Sequence, residues 1–461
     1  MKKTVLLKNA EAIVSCDPAD RVYRGCDILI RNGFIAEIGA GLSAEGAETI
    51  DASRKFIYPG LINTHHHFFQ TFVRNTLAID YPNLTVVDWI DKIYRVFQVI
   101  DNDVIYFSTL TALSDLIKHG CTCAFDHQYC FTKKTGTGPV DRQMAAAELL
   151  GIRYHAGRGT NTLPRSEGST IPDEMLETTD TFIADCERLI DTYHDPNPGS
   201  MRQVVIAPCQ PINSYLDTFT ESVRLARARN VRLHTHLGEG ENGIMTQRWG
   251  KRTLDWCEEI GFIGEDVWFA HFWEGTMDEV RKLARAGSGV SHCPGPAILG
   301  GFPILDLREL VSTGVNVSLG CDGSATNDSS SLLDAMRMGY LMQAWHCKAR
   351  GGCVTPYEIL KLATVGGAKT LGRSDLGSLE VGKCADLFMI DTDVPELSGT
   401  LHDPKNLLAR VGRTDNVWLT MVGGKVVYQD GKLTGIDESE IARAGEAVCD
   451  RVIRGPFRQY F

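Results

Sequence analysis

Residues 56–70 read FIYPGLINTHHHFFQ, an apolar run that ends in three consecutive histidines, His65, His66 and His67. On an extended chain alternate side chains share a face, so His65 and His67 point one way and His66 the other. Two imidazoles one pleat apart can grip a single metal ion, and this predicts further ligands elsewhere in the chain.

The same texture recurs. Apolar runs end in polar clusters at CTCAFDHQ (121–128), IRYHAGRG (152–159), VVIAPCQP (204–211), VRLHTHLGE (231–239), VWFAHFW (267–273), GVSHCP (289–294) and VNVSLGCDGS (315–324). Helix-like patterns lie between them, for example at 102–118 and 217–229. Eight such units over roughly 310 residues predict an α/β fold, a (β/α)8 TIM-like barrel, with the polar residues at the C-terminal strand ends where a barrel builds its active site. The flanks read as short alternating strands with glycine turns. Residues 1–57 with 370–437 are expected to pair into one small β-sandwich, since neither end can bury a core alone. The barrel would span 58–369, and 438–461 would form a closing helix and an extended tail.

Composition is that of a globular enzyme: 461 residues, 43% hydrophobic and 23% charged, with a net charge of −11. No Lys/Arg run offers a nucleic-acid footprint, and no apolar stretch is long enough for a membrane span. The start, MKKTVLLKNAEAIVSCDP, turns polar without a signal-peptide core, so a cytoplasmic location is expected. The fourteen cysteines are scattered with no CxxC pair, which reads as reduced, mostly buried thiols.

Further polar residues stand at predicted strand ends: His236 and Glu239 in HTHLGE, His271 in AHFW and Asp322 in GCDGS. A barrel brings these and the first histidines to one mouth. Three imidazoles and a carboxylate make a borderline site suited to zinc first and ferrous iron second. Glu239 follows His236 by three residues, past the strand end, where a carboxyl group can carry a proton. His234 shares a face with His236, so strand parity leaves it open as a ligand. His66 is expected to face the surrounding helices and Glu241 to be solvated on its loop. Gln70, Arg158, Trp89 and Trp273 are candidate substrate contacts, against a turn cap for Gln70, a salt bridge at the barrel mouth for Arg158 and core packing for Trp89. One of Asp126, His127 and Gln128 should face the pocket.

With PGLINTHHHFFQ, RLHTHLGE, AH, CDGSATND and SDLGSLEVGKCADLFMID laid out, the chain resembles the amidohydrolase superfamily over nearly its whole length. The branch it looks like contains cytosine, guanine, S-adenosylhomocysteine and 8-oxoguanine deaminases and the triazine hydrolases. The resemblance implies one divalent metal held by His65, His67, His236 and Asp322, with Glu239, His271 and Asp322 serving the chemistry. Two-metal members carry a carboxylated lysine at the end of the fourth strand, where this chain offers Cys209 and Gln210. It also implies a small heterocyclic substrate and is compatible with a homo-oligomer. The function expected is hydrolytic deamination of an oxopurine or pterin such as 8-oxoguanine, releasing ammonia. The alternative is a triazine-type hydrolase displacing an amine or chloride, or a cyclic amide hydrolase. Pro296, Ala297 and Ile298 stand where the oxopurine enzymes carry Asn and Arg, and Phe272 and Trp273 add aromatic bulk.

Overall fold

The computed structural model describes residues 4–79, 83–84, 86–348, 352–412 and 415–461. Lys2 and Lys3 of the quoted N-terminal stretch, and Thr85 just before the segment that carries Trp89, lie outside these. Eight parallel strands follow one another around a barrel: β1 (Leu61–Asn63), β2 (Cys121–Gln128), β3 (Arg153–Arg158), β4 (Arg202–Ile206), β5 (Arg232–Leu237), β6 (Val267–His271), β7 (Gly289–His292) and β8 (Asn316–Leu319). Each neighbour in sequence is a neighbour in space. The seam between β1 and β8 is bridged by the amide of Thr64 donating to the Leu319 carbonyl at 3.1 Å and that of Asp322 donating to the His65 carbonyl at 3.0 Å.

The strands read as continuous apolar runs because both faces are covered, by helices outside and by packed side chains inside. Ile62, Cys123, Phe125, Val205 and Trp268 fill the interior below the mouth. Above them the Thr64 hydroxyl joins Ser291, Ser318 and the Leu319 carbonyl, so this buried polar layer is hydrogen-bonded. Gly320 lets β8 approach β1, since a methyl group there would meet the His65 Cβ at 2.8 Å and the His65 carbonyl at 2.9 Å. The helix Asn102–Lys118 matches its periodicity, and Asp101 caps it by accepting from the amides of Asp103 and Val104.

The chain ends interleave in one seven-stranded sheet, in which Lys55–Pro59 pairs antiparallel with Leu387–Asp391. A second sheet of four strands, drawn from residues 4–51, packs on it. Val5, Leu7, Ile28 and Ile30 from the four-stranded sheet share a core with Ile57, Leu387, Met389 and Met421. Two β-rich ends therefore bury one core between them. The last helix, Glu438–Cys449, is followed by helical turns through Arg454 and at Arg458–Tyr460 rather than by the extended tail expected. Cys449, Val452 and Ile453 pack into an apolar cluster with helix α1 (Val86–Phe97), which gives the tail a reason to coil. All fourteen cysteines are free thiols. Among the described residues no helix is long and apolar enough to cross a membrane.

Candidate active site

His65 and His67 follow β1, His236 lies on β5, His271 ends β6, and Asp322 follows β8. Oδ1 of Asp322 lies 3.2 Å from Nε2 of His65 and 3.2 Å from Nε2 of His67. Nε2 of His236 lies 3.2 Å from Nε2 of His67. His271 Nε2 stands 3.6 Å from Glu239 Oε1. His271 and Asp322 both hold the left-handed backbone region, at φ 73° and 64°. Non-glycine residues there cost about 1–3 kcal/mol each and cluster at functional sites.

Proton positions follow from the partners. His67 Nδ1 lies 2.9 Å from the His127 carbonyl, and His236 Nδ1 lies 2.8 Å from the Cys209 carbonyl. A carbonyl only accepts, so in each ring Nδ1 carries the proton and a neutral ring leaves Nε2 bare. Burial, reinforced by the neighbouring imidazoles, holds His236 well below the ordinary histidine range. Burial likewise brings His65 down to about 4. Nε2 of His65 is buried without a hydrogen bond. Bare nitrogens facing each other at 3.2 Å beside a carboxylate repel unless a cation lies between them. Three imidazole nitrogens and one carboxylate oxygen are the donor set of a divalent zinc or iron site, so the residues fit such an ion.

Glu239 sits on the loop after β5 with its side chain 23% exposed, within reach of a bound molecule. Burial raises its carboxyl pKa well above the usual range, the charges of Asp322 and Glu241 add to this, and the hydrogen bond from Gln210 opposes it. The neutral acid is the form that can donate, so this function is present below the raised pKa and lost as pH climbs through it. Gln210 Nε2 donates to Glu239 Oε2 at 2.8 Å. Glu241 corrects its expected solvation: its buried carboxylate accepts the amides of Gly238 and Glu239, both at 2.7 Å, and so shapes the loop that presents Glu239.

His66 turns away, its Nδ1 accepting the His67 amide at 2.8 Å and its Nε2 donating to Ser330 Oγ at 2.9 Å. Of the triplet ending β2, His127 faces inward and stacks on His236 at 4.8 Å. Asp126 instead accepts from the Phe68 amide and from Gln143. Gln70 Nε2 donates to the Tyr129 hydroxyl and Gln70 Oε1 accepts the Ala325 amide, each at 3.3 Å. It thus ties the loop after β8 to the mouth, and Gly323 leaves room for its amide, which a methyl group would overlap. Trp89 is buried in the apolar cluster of α1 with Ile93, Tyr94 and Phe97. Trp273 packs on His271 with ring centroids 4.3 Å apart and stacks on Phe302 at 4.5 Å.

Arg158 corrects its candidacy as a substrate contact. Its buried guanidinium is taken up by Glu177 and Asp185, both at 2.7 Å, and stacks 3.5 Å over Phe131. The pairing is structural. Arg158→Leu should cost about 3–5 kcal/mol, because it takes the cation from Glu177 and leaves the buried Asp185 with Arg188 alone. Thermal or urea unfolding would show this, and a change in KM with unchanged stability would contradict it.

Three members of the mouth escaped the sequence reading. Gln210, which stands where two-metal members carry a lysine, is a partner of Glu239. Tyr129 lies one residue past the quoted end of β2, with its ring 4.9 Å from that of His67. His292 ends β7 fully buried, with neither ring nitrogen hydrogen-bonded. Its position at a strand end in GVSHCP was the available signal.

A (β/α)8 barrel whose C-terminal mouth gathers three converging imidazoles, a carboxylate and a protonatable glutamate defines a class, the barrel hydrolases with a donor set suited to a divalent cation. The amidohydrolase family model matches residues 56–427, and the chain belongs to that family. It is a hydrolase acting on carbon–nitrogen bonds other than peptide bonds. It is 49% identical to hydroxydechloroatrazine ethylaminohydrolase of Pseudomonas sp. (strain ADP), covering 98% of this chain and 96% of the relative. It is 36% identical to an 8-oxoguanine deaminase of Pseudomonas aeruginosa, over 93% and 95% of the two chains. Among solved structures, atrazine chlorohydrolase TrzN from Arthrobacter aurescens TC1 complexed with zinc superposes with a TM-score of 0.92 at 29% identity, covering 96% of this chain and 100% of that one.

Proposed function

We propose that this enzyme hydrolyses the bond between a nitrogen-rich aromatic ring and an alkylamino substituent, with a hydroxylated triazine as the first candidate substrate. The oxopurine or pterin expected from sequence takes second place. The observation that carries this reading is the apolar flank beside His271, where Trp273, Cys293 and Ala297 form a cluster with Phe302 packed on it. That wall suits an alkyl group and offers little to the polar edge of an oxopurine. The ethylaminohydrolase named above supports the same choice.

His65, His67, His236 and Asp322 would hold the divalent ion, taken as zinc. Such an ion lowers the pKa of a water from about 15.7 toward about 7. Asp322 takes a proton from the attacking water, and His271 orients it. Glu239 protonates the ring nitrogen beside the carbon under attack, which relieves charge as the tetrahedral centre forms. The carbon–oxygen bond has then formed. As the carbon–nitrogen bond breaks, the bonding pair leaves with the nitrogen, the proton that Asp322 took passes to the departing amine, and Glu239 recovers its proton from the ring. The products are the amine and the hydroxylated ring.

Amine release from hydroxydechloroatrazine, 8-oxoguanine and isoxanthopterin by zinc-loaded enzyme tests this. Ethylamine release should exceed ammonia release from the other two by about tenfold or more in kcat/KM. The reverse order would restore the oxopurine or pterin reading. Phe302→Ala should narrow the preference for an N-ethyl over an unsubstituted amino group, by about 10- to 200-fold if the alkyl group lies on this wall. An unchanged ratio would remove Phe302 from the substrate pocket.

A further inference from the structure

The rings of His67 and His236 are each held by a backbone carbonyl, which no side-chain substitution removes. His65 differs. Its Nδ1 lies 3.0 Å from Nε2 of His234. Nδ1 of His234 in turn lies 3.0 Å from the Trp268 carbonyl. That carbonyl accepts, so Nδ1 of His234 carries the proton and Nε2 offers a lone pair. The lone pair requires the proton of His65 to sit on Nδ1, which leaves Nε2 of His65 bare on the side of Asp322, 3.2 Å away.

We propose that His234 is a positioning residue, which through one imidazole-to-imidazole hydrogen bond sets the tautomer and orientation in which His65 presents Nε2 to the metal. The inference rests on the mouth holding a divalent ion, as the functional reading has it.

The surroundings support a rigid relay. The His234 ring is fully buried among Trp268, Phe125, His127 and His65, with ring centroids at 4.6, 4.8, 5.0 and 5.1 Å. None of these four carries a carboxylate that would draw a second proton onto it. Trp268, whose carbonyl starts the relay, donates its own indole N–H to the Thr64 carbonyl at 3.1 Å. Thr64 directly precedes His65. The relay therefore starts on β6, crosses β5 and ends just past β1, and the strand that starts it also pins the backbone beside its end.

The competing role is direct ligation. His65, His127 and His234 do bring ring nitrogens within 4.8 Å of one another. But Nε2 of His234 meets Nδ1 of His65, the nitrogen on the opposite side of the ring from Asp322. A cation bound to Nε2 of His65 beside Asp322 leaves His234 behind the ring. His127 Nε2 donates to the Ala207 carbonyl at 2.7 Å and does not enter the relay.

The test uses metal binding and spectroscopy rather than turnover. In the cobalt(II)-loaded wild-type enzyme, the Nδ1 protons of His65, His67 and His236 should give three paramagnetically shifted, solvent-exchangeable proton resonances. His234→Phe keeps the ring and removes the acceptor. Its zinc affinity, read by chelator competition on protein shown to be folded by circular dichroism, should fall about 10- to 100-fold. His234→Gln, whose amide oxygen reaches the place of Nε2, should recover most of that loss. The proposal is overturned by any of three results: a wild-type spectrum with fewer than three such resonances, zinc affinity of His234→Phe within twofold of wild type, or His234→Gln binding as weakly as His234→Phe. A wild-type chain that bound neither zinc nor cobalt would overturn the functional reading and this proposal together. Wild-type binding that His234→Phe leaves unchanged would overturn the proposal alone.

Discussion

Glu239→Gln is expected to lower kcat/KM by about 10²- to 10⁴-fold while leaving the zinc content at the wild-type level. The glutamine keeps the shape of the side chain and can still meet Gln210, but it has no proton to give to a ring nitrogen. Glu239 also stands outside the set that converges on Asp322 Oδ1, which consists of His65 and His67, with His236 beside His67. Activity and metal content should therefore separate in this variant. Pre-steady-state amine release, with metal content measured on the same sample, would show it. Retention of most of the activity would mean that another group carries the proton, and loss of zinc would make Glu239 a ligand.

His65→Ala should abolish activity and remove zinc, whereas His66→Ala should keep zinc and most of the activity. The two residues are adjacent and both fully buried, so burial does not distinguish them. Direction does: His65 Nε2 faces Asp322, and His66 Nε2 donates to Ser330 Oγ on the far side of the chain. His66→Ala leaves the buried His67 amide without its acceptor, at about 1–3 kcal/mol, and leaves Ser330 with Ser324 as its partner, so the comparison belongs well below the variant's lowered melting temperature. Zinc measured after desalting decides the matter. Equal retention in the two variants would overturn the assignment.

Much of this was legible in the linear chain because barrel strands are local signals. An apolar run ending in polar residues is a strand with its C-terminal end at the mouth, wherever it lies. Eight such runs predicted the observed order β1 to β8, and Asn102–Lys118 was readable from its apolar spacing. The pleat told His66 apart from its neighbours. The flanking sheets followed from the poverty of each end's own core, and Ile57 and Leu387 now share one.

Other readings depended on what faces a side chain, which periodicity does not report. Arg158 stands at a strand end like the others, yet Glu177 and Asp185 on the following segment neutralise it and turn it into a support for the wall. Glu241 looked like loop because GEG is a turn signal, and two amides of that same turn hold its carboxylate buried. Trp89 became part of a cluster that includes Ile453, near the far end of the chain.

The sequence by itself determined the barrel, the strand ends and the histidines and acids that gather at the mouth, though not Gln210, Tyr129 or His292, since period and residue type are properties of short stretches. Which nitrogen of each histidine is bare was decided only by tertiary structure. The acceptors that set the protons lie 27 residues away for His236, 60 for His67 and 169 for His65. A neutral imidazole has one proton and two places to put it, and only a partner brought in by the closed barrel makes the choice.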